Sequence, residues 1–178
     1  MHTKKTILAI IGSASAASSC EKLAARFAEQ LSEAAEVVRY NTLKVLPHFD
    51  PDLAVTAPPE EVVRLRNYIA DAAGVLICTP EYVFSIPSGL KNAIEWCVAT
   101  TVFSEKPVGL ITAAASGIKG HEELQLILQT VGASFTEATT LLIQGVKGKI
   151  NQEGQITDTQ TAEAFARFVS AFKEQAGL

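Results

Sequence analysis

The strongest constraint on this fold is a repeated alternation between short apolar runs and segments with helical periodicity. Residues 7–11 form an uninterrupted apolar run, and residues 75–78 form another. Runs of this kind are typical of strands that are buried on both faces of a sheet. Between the two runs, Leu23, Phe27 and Leu31 recur at the spacing of a helix with one buried face. The order strand, helix, strand predicts parallel pairing.

The same alternation continues along the whole chain and predicts five β-α units. We predict strands at residues 7–11, 37–40, 75–78, 107–112 and 135–144, and a helix after each of them, the third from about residue 87 to residue 99. The predicted fold is therefore an α/β three-layer sandwich, with a five-stranded parallel sheet and helices on both faces. The connection at residues 41–59 is long, so it either has a function or contains a small turn of its own. Residues 151–157 are expected to form an exposed turn.

Size and composition predict one globular domain that covers residues 1–178. Hydrophobic residues make up 48% of the chain and charged residues 19%, which allows a full core and disfavours disorder. The net charge of −4 is mild, whereas a nucleic-acid-binding protein would normally carry a basic face. We therefore expect no nucleic-acid partner.

The cysteines predict a reducing environment and no metal centre. Cys20, Cys78 and Cys97 are far apart in the sequence, and no pair has the spacing of a zinc or iron–sulfur motif. An odd number of thiols without a recognisable signal peptide suits the cytoplasm. The apolar run at residues 7–11 is too short to span a bilayer, so we expect no membrane association.

The loop after the first predicted strand, called the first loop (residues 12–20), is rich in hydroxyl groups. It contains Ser13, Ser15, Ser18 and Ser19, followed by Cys20, and it has no bulky or cationic side chain. Backbone N–H groups at the start of a helix lack partners inside the helix, and the helix dipole adds partial positive charge. Such a loop can hold a phosphate without a cation. The alternative is that Ser18 or Ser19 only caps the helix.

The loop after the third predicted strand combines proline, aromatic and hydroxyl side chains. This signature loop (residues 79–87) has the order Thr-Pro-Glu-Tyr-Val-Phe-Ser-Ile-Pro. Ligands of open α/β proteins bind at this edge of the sheet. Because Pro80 fixes its own φ and gives up a donor, the neighbouring backbone groups can face a flat ring with Tyr82 packed beside it. The alternative is a plain connection whose Tyr82 and Phe84 cover the end of the core.

Residues 79–96 have the sequence TPEYVFSIPSGLKNAIEW, which resembles the signature of the NAD(P)H-dependent FMN reductases. This flavodoxin-like family includes many quinone, azo-dye and chromate reductases. Gly12, Ser13 and Ser18 are similar to the family's phosphate loop, and the third loop (residues 113–117) is similar to its third flavin loop. The resemblance therefore covers nearly the whole chain, and it implies a flavodoxin-like fold with bound FMN.

The resemblance also implies which residues bind the cofactor. The phosphate and the ribityl chain would contact Ser13, Ser18, Ser19 and Cys20, and Ser15 stands where members often carry an arginine. The flavin ring would contact backbone atoms of Pro80, Glu81, Tyr82 and Val83 and the hydroxyl group of Ser85. The third loop would pass beside the ring with Ala115, Ser116 and Gly117.

The chain departs from the family pattern at three further positions. Val83 replaces the usual asparagine, Ser88 replaces a glycine, and Lys119 stands where a second small residue is common. These departures keep open the alternative of a family member with weakened FMN binding. A second alternative is a non-catalytic electron carrier of the flavodoxin type.

The activity implied by the resemblance is a ping-pong two-electron reduction. Hydride would pass from NADPH or NADH through N5 of FMN to quinones, flavins or similar electron-poor small molecules. No catalytic side chain is implied, since the cofactor carries the chemistry. The resemblance also implies a homodimer or homotetramer, with the helices after the signature loop and the third loop at the interface.

Several polar residues near these loops have structural explanations. Lys91 and Glu95 are expected to form a surface ion pair at helical spacing. Asn92 is expected to tether the signature loop, and Trp96 to lie in the core or at a subunit interface. His121 is expected to be a surface residue.

Overall fold

The computed structural model describes residues 4–178, in which five strands alternate with six α-helices. The strands are β1 (Lys5–Ile11), β2 (Ala35–Tyr40), β3 (Gly74–Thr79), β4 (Val108–Ala114) and β5 (Thr140–Gln144). The helices are α1 (Ser19–Leu31), α2 (Pro51–Thr56), α3 (Glu60–Asp71), α4 (Ser88–Glu95), α5 (Ile118–Thr130) and α6 (Thr159–Gln175).

The strands form one parallel sheet in the order β2-β1-β3-β4-β5. Every residue of β3 and β4 is buried, whereas the edge strands β2 and β5 are partly exposed. This difference explains why the apolar runs of the central strands are uninterrupted. The predicted flavodoxin-like three-layer α/β fold is confirmed.

Alternate residues of each strand face two separate cores, one on each side of the sheet. Leu8 and Ile10 of β1 pack on the side of α2, α3, α4 and α5. Ile7 and Ile11 pack on the opposite side, against α1 and α6. The sheet is therefore the middle layer, and it holds the ends of its strands at fixed positions.

Helix α6 approaches the sheet closely because the strand residues beneath it are glycines. A Cβ atom at Gly109 would lie 2.8 Å from Cδ2 of Phe172 and 2.9 Å from Cζ of Phe168. A Cβ atom at Gly74 would lie 3.0 Å from Cζ of Phe172. Phe27 of α1 meets Phe172 edge to face, with ring centroids 5.2 Å apart. These aromatic rings fill one core of the protein.

The long connection at residues 41–59 contains ordered structure of its own, which agrees with the second of the two alternatives. It contains a 3-10 turn and the short helix α2. Asp50 caps α2, since its Oδ1 accepts hydrogen bonds from the N–H groups of Asp52 and Leu53 at 2.9 and 3.0 Å. Pro51 occupies the first turn, where its missing N–H costs nothing.

Two element boundaries differ from the prediction by more than two residues. The segment predicted as a strand at residues 135–144 is a strand only from Thr140 onward. Residues Glu137–Thr139 form a 3-10 turn instead, closed by the N–H of Thr136, which donates to Thr139 Oγ1 at 2.9 Å. The helix expected at residues 87–99 ends at Glu95 and continues as turns.

Candidate functional site

The first loop and the signature loop begin side by side at the carboxyl edge of the sheet. The N–H of Gly12, which follows β1, donates to the carbonyl of Cys78 in β3 at 2.8 Å. A Cβ atom at Gly12 would lie 2.5 Å from Oγ1 of the buried Thr79. Only glycine therefore fits at this position without a displacement, and the contact fixes the origin of both loops.

The first loop extends into solvent and returns as α1. Residues 14–17 are exposed. Ser18 is the N-cap of α1, and its Oγ accepts a hydrogen bond from the N–H of Glu21 at 3.2 Å. The N–H groups of Ser19 and Cys20 come before the first hydrogen bond within the helix. The predicted cap is thus confirmed, and it leaves two donors at a helix terminus that attracts anions.

The signature loop forms a two-residue hairpin at its tip. The N–H of Tyr82 donates to the carbonyl of Ser85 at 2.9 Å, and the reverse bond measures 3.0 Å. Between them, Val83 and Phe84 have left-handed φ angles of 53° and 59°. Such a turn normally uses asparagine or glycine. Val83 is 94% exposed and Phe84 75% exposed, so the unfavourable backbone is not offset by burial of these side chains.

The side chain of Glu81 crosses from the signature loop to the start of α5, a contact that sequence reasoning missed. Its Oε1 accepts from the N–H of Gly117 at 3.0 Å, and its Oε2 accepts from the N–H of Gly120 at 2.8 Å. Gly117 is the N-cap of α5 and has no side chain to satisfy these donors. Glu81 therefore caps a helix that lies 36 residues further along the chain.

A second carboxylate makes the reverse connection from α5 to the signature loop. Glu123 accepts from the hydroxyl of Ser85 at 2.6 Å and from the N–H of Ile86 at 3.1 Å through the same oxygen, Oε2. Glu81 and Glu123 together are called the carboxylate brace below. Ser85, whose hydroxyl the resemblance assigned to the flavin, is thus already bonded to a protein side chain.

A cavity of about 780 Å³ lies between the first loop and the signature loop. Its wall contains most of the residues predicted to bind the cofactor, namely Ser13, Ser15, Ser18, Ser19, Cys20, Pro80, Glu81, Tyr82 and Ala115. Four predicted residues do not line it, namely Val83, Ser85, Ser116 and Gly117. Val83 lies at the exposed tip of the hairpin, and the N–H of Gly117 is bonded to Glu81.

The cavity wall also contains two lysines that sequence analysis did not select. Lys22 lies in the second turn of α1, and Lys147 lies in a 3-10 turn after β5. Lys22 Nζ donates to the carbonyl of Asn151 at 3.0 Å, which ties α1 to the segment after β5. Ligands bind at the carboxyl ends of parallel strands, and the end of β5 lies beside the end of β4. This rule could have indicated that the segment after β5 borders the site.

A second cavity of about 580 Å³ adjoins the first one. Ser13, Ser15 and Tyr82 line both cavities. The hydroxyl oxygens of Ser13 and Tyr82 are 3.4 Å apart, so the two side chains stand together at the boundary. Residues 41–44 and 87–89 form the far wall. The site therefore has room for a second ligand beside the first.

The structural roles expected for three neighbouring residues can be checked directly. Lys91 and Glu95 form the predicted surface pair, with 2.7 Å between Nζ and Oε1. Trp96 is a core residue, as one of the two alternatives predicted. Asn92 holds a different loop from the expected one, since its Nδ2 donates to the carbonyl of Pro47 in the long connection at 2.9 Å.

The surface position predicted for His121 is wrong. Its ring is half-buried, and Nδ1 lies 2.8 Å from Oγ1 of the fully buried Thr112. Burial lowers the pKa of His121 below the ordinary value of 6.5. Burial therefore favours the neutral form of the ring at neutral pH.

The thiol groups are not poised for nucleophilic chemistry. Cys20, Cys78 and Cys97 are buried and unpaired. Burial raises the pKa of Cys97 to about 12 and holds the pKa of Cys78 well above its usual range.

Across residues 4–178 there is no group of side chains suited to holding a metal ion. No helix in the same range is long and apolar enough to cross a membrane.

Comparisons with known proteins agree with this geometry. A family model described as NADPH-dependent FMN reductase matches residues 6–147. The NADH:(hydroxy)cinnamate reductase subunit CrdA of Vibrio ruber is 31% identical over 176 residues, which cover 91% of this chain and 84% of that protein. A quinone reductase of Escherichia coli strain K12 is 28% identical over an alignment of 182 positions, and the match covers 98% of this chain and 96% of that protein.

A solved structure extends the likeness to three dimensions. The flavoenzyme NAD(P)H:(acceptor) oxidoreductase FerB from Paracoccus denitrificans matches with a TM-score of 0.79 and 31% sequence identity, over 97% of each chain. The family match contains β1 to β5 and all three loops at the carboxyl edge of the sheet. The resemblance found in the sequence is confirmed, and the chain belongs to the NADPH-dependent FMN reductase family.

Proposed function

We propose that this chain is an FMN-containing oxidoreductase that uses NADPH or NADH to reduce quinones, flavins or similar electron-poor small molecules. The observation that carries the proposal is the cavity of about 780 Å³ between the first loop and the signature loop. Its support comes from the family and from relatives named as a quinone reductase and an NAD(P)H:(acceptor) oxidoreductase.

The chemistry of the cavity wall fits FMN. At one end, the N–H groups of Ser19 and Cys20 and the nearby hydroxyl groups suit a phosphate. Each hydrogen bond to an ionised group contributes roughly 1.5–3 kcal/mol net, so a few of them hold a phosphate firmly. At the other end, the backbone of Pro80, the Tyr82 ring and the small apolar residues 113–115 suit a flat ring.

Lys22 and Lys147 supply the positive charge that the first loop lacks. Members of the family often carry an arginine at the position of Ser15, and residues 12–20 contain no cation. Both lysines line the same cavity as the serines of the first loop. Their charges therefore compensate for the missing arginine from a different part of the chain.

FMN, when bound, supplies two-electron chemistry, because its ring accepts hydride from NADPH or NADH and passes it to an acceptor. The residues of the protein bind the cofactor and orient it. The carboxylate brace keeps the signature loop and α5 in a fixed relation. The adjoining cavity beside Ser13 and Tyr82 offers one place that nicotinamide and acceptor can occupy in turn, which gives the ping-pong order.

An absorbance spectrum of the purified protein tests this function. Before and after incubation with FMN and gel filtration, we expect flavin bands that travel with the protein. These bands should bleach when NADPH or NADH is added and return when a quinone follows. A colourless protein that retains no FMN would contradict the proposal. Retained flavin that neither nucleotide reduces would favour the non-catalytic electron carrier.

The role of the lysines can be tested by comparing FMN with riboflavin, which lacks the phosphate. In the variant K22Q/K147Q we expect the Kd for FMN to rise about tenfold, because each exposed ion pair contributes up to about 1 kcal/mol. The Kd for riboflavin should stay unchanged. K149Q removes a neighbouring lysine that does not line the cavity and serves as the control. Equal losses for FMN and riboflavin would contradict the assignment.

We propose that the protein forms a homodimer or homotetramer through α4, α5 and the tip of the signature loop. Large apolar side chains are exposed in this region, namely Val83, Phe84, Val98, Ile118 and Leu126. Light scattering after gel filtration should give a multiple of the 19.0 kDa chain mass. A monomer at micromolar concentration would contradict this part of the proposal.

We also propose a cytoplasmic location. The support is chemical, since three cysteines are buried without a disulfide partner, as expected in a reducing compartment. Fractionation of cells that produce the protein tests this location. Recovery in an oxidising compartment would contradict it.

A further inference from the structure

The start of α5 would ordinarily attract negative charge. Backbone N–H groups at a helix terminus have no partners within the helix, and the dipole places about half a positive charge there. The third loop leads directly into this terminus. In a flavin site, such donors would stabilise the extra negative charge of a reduced ring.

The structure has a different arrangement, because Glu81 already occupies this terminus. Its two oxygens accept from the N–H groups of Gly117 and Gly120. Gly120 permits the approach, since a Cβ atom there would lie only 3.3 Å from Cβ and Cγ of Glu81. Glu81 also lines the cavity of about 780 Å³. A residue of the cavity wall therefore carries its negative charge in front of about half a positive charge at the start of α5.

We propose that Glu81 lowers the reduction potential of the bound flavin by presenting this fixed charge, an inference that rests on the proposed function. Two effects act in the same direction. The carboxylate repels the charge that the ring gains on reduction, and it offsets the partial positive charge at the start of α5 that would otherwise stabilise that charge. A lower potential makes the reduced flavin a stronger donor to its acceptors.

Variants of Glu123 distinguish the electrostatic effect of Glu81 on the flavin from the structural effect of the carboxylate brace on the signature loop. Glu123 holds the signature loop through Ser85 and Ile86, but it is not among the residues that line the cavity. Loss of Glu123 should therefore loosen the loop and weaken FMN binding while it leaves the potential nearly unchanged. Loss of the Glu81 charge should change the potential itself.

The test is the two-electron midpoint potential of bound FMN, measured by equilibration with a reference dye. In E81Q we expect the ratio of reduced to oxidised flavin at a fixed potential to rise about tenfold, which corresponds to about +30 mV. E81D keeps the charge and should stay near the wild-type potential. E122Q removes an exposed carboxylate from the same helix and is the matched control. E81M offers a second neutral variant if E81Q does not fold.

A second readout needs no flavin. Hydrogen exchange at the amides of Gly117 and Gly120 should be faster in E81Q than in the wild-type protein, because the glutamine side chain has one acceptor oxygen and can keep at most one of the two bonds. Slow exchange in E81Q would overturn the capping role. A potential that changes no more in E81Q than in E122Q would overturn the inference and leave the proposed function intact. Failure of the wild-type protein to bind FMN would overturn both.

Discussion

The first loop and the signature loop border the same cavity, but they are held in place by different means. In the first loop, the hydrogen bonds between side chain and backbone are local. Ser13 Oγ accepts from the N–H of Ser15 at 3.2 Å, and Ser18 caps the helix that follows. In the signature loop, Glu81 accepts hydrogen bonds from the start of α5, and Ile86 donates one to Glu123 of α5. Each connection spans more than thirty residues. The first loop is held mainly by residues close to it in the sequence, whereas the signature loop is held by a distant helix.

This difference matches the chemical demands of the two ends of the cavity. A phosphate is nearly spherical and accepts hydrogen bonds from many directions, so a serine-rich loop at a helix terminus suffices. A flat ring needs a wall at a fixed height and angle. The carboxylate brace provides that rigidity, and it adds a charge that a purely local loop would not have.

The largest effect is expected from G12A, which breaks the shared origin of the two loops. The new Cβ would meet Thr79 Oγ1 at 2.5 Å and Thr79 Cβ at 2.8 Å. We expect a loss of about 1–3 kcal/mol in the free energy of unfolding, the usual cost of overpacking. Urea denaturation measures it. G148A is the control, since a Cβ there meets no atom within 4 Å. Equal stability of the two variants would contradict the prediction.

A smaller effect of opposite sign is expected from V83N, which sharpens the comparison at the signature loop. A β-branched residue in the left-handed region costs about 1–2 kcal/mol, and asparagine tolerates this region better. We expect V83N to be more stable than V98N by about 1 kcal/mol, measured as a higher midpoint in urea. V98N is the matched control, since it changes another exposed valine of the proposed interface, one with ordinary φ. A loss of stability in V83N would show that its side chain has a partner.

The smallest effect is expected from H121Q, which tests how the stability of the protein near the start of α5 depends on pH. Burial lowers the folded-state pKa of His121 below 6.5, so at lower pH the unfolded chain binds the proton more readily. Stability is therefore fully present above about pH 6.5 and falls as the pH decreases through the lowered pKa. Thermal melts between pH 7 and pH 5 should show a shallower fall in H121Q. The exposed His48 provides the control variant H48Q. Identical slopes in all three proteins would refute this prediction.

The fold could be predicted because its central strands are buried on both faces. That burial leaves an apolar run that is readable without knowledge of any contact, as in residues 7–11. The same reasoning overestimated the last strand, because residues 135–139 contain a phenylalanine and two threonines, which favour strands. The strand begins only at Thr140, because a hydrogen bond between Thr136 and Thr139 closes a 3-10 turn just before it. The Asp-Pro pair at residues 50–51 is a helix-start signal that indicates α2.

The site could be predicted in its position but not in its internal bonds. Parallel strands bring their carboxyl ends together, so the meeting of the three loops follows from strand order alone. The partners of Glu81 and Glu123 do not follow, since neither residue has a periodicity that points to the other loop. The same holds for Lys147, whose place at the cavity depends on the turn after β5. Side-chain direction in loops is a tertiary property.

The position of α6 in the chain has a consequence for synthesis of the protein. Phe168 and Phe172 cover Gly74 and Gly109 at the centre of one face of the sheet, yet α6 follows all five strands. While the ribosome is still producing α6, the growing polypeptide has every strand it needs and an apolar surface that nothing covers. That interval is the time at which a nascent chain most needs a chaperone. The protection of this face of the sheet is therefore decided by α6 rather than by the strands.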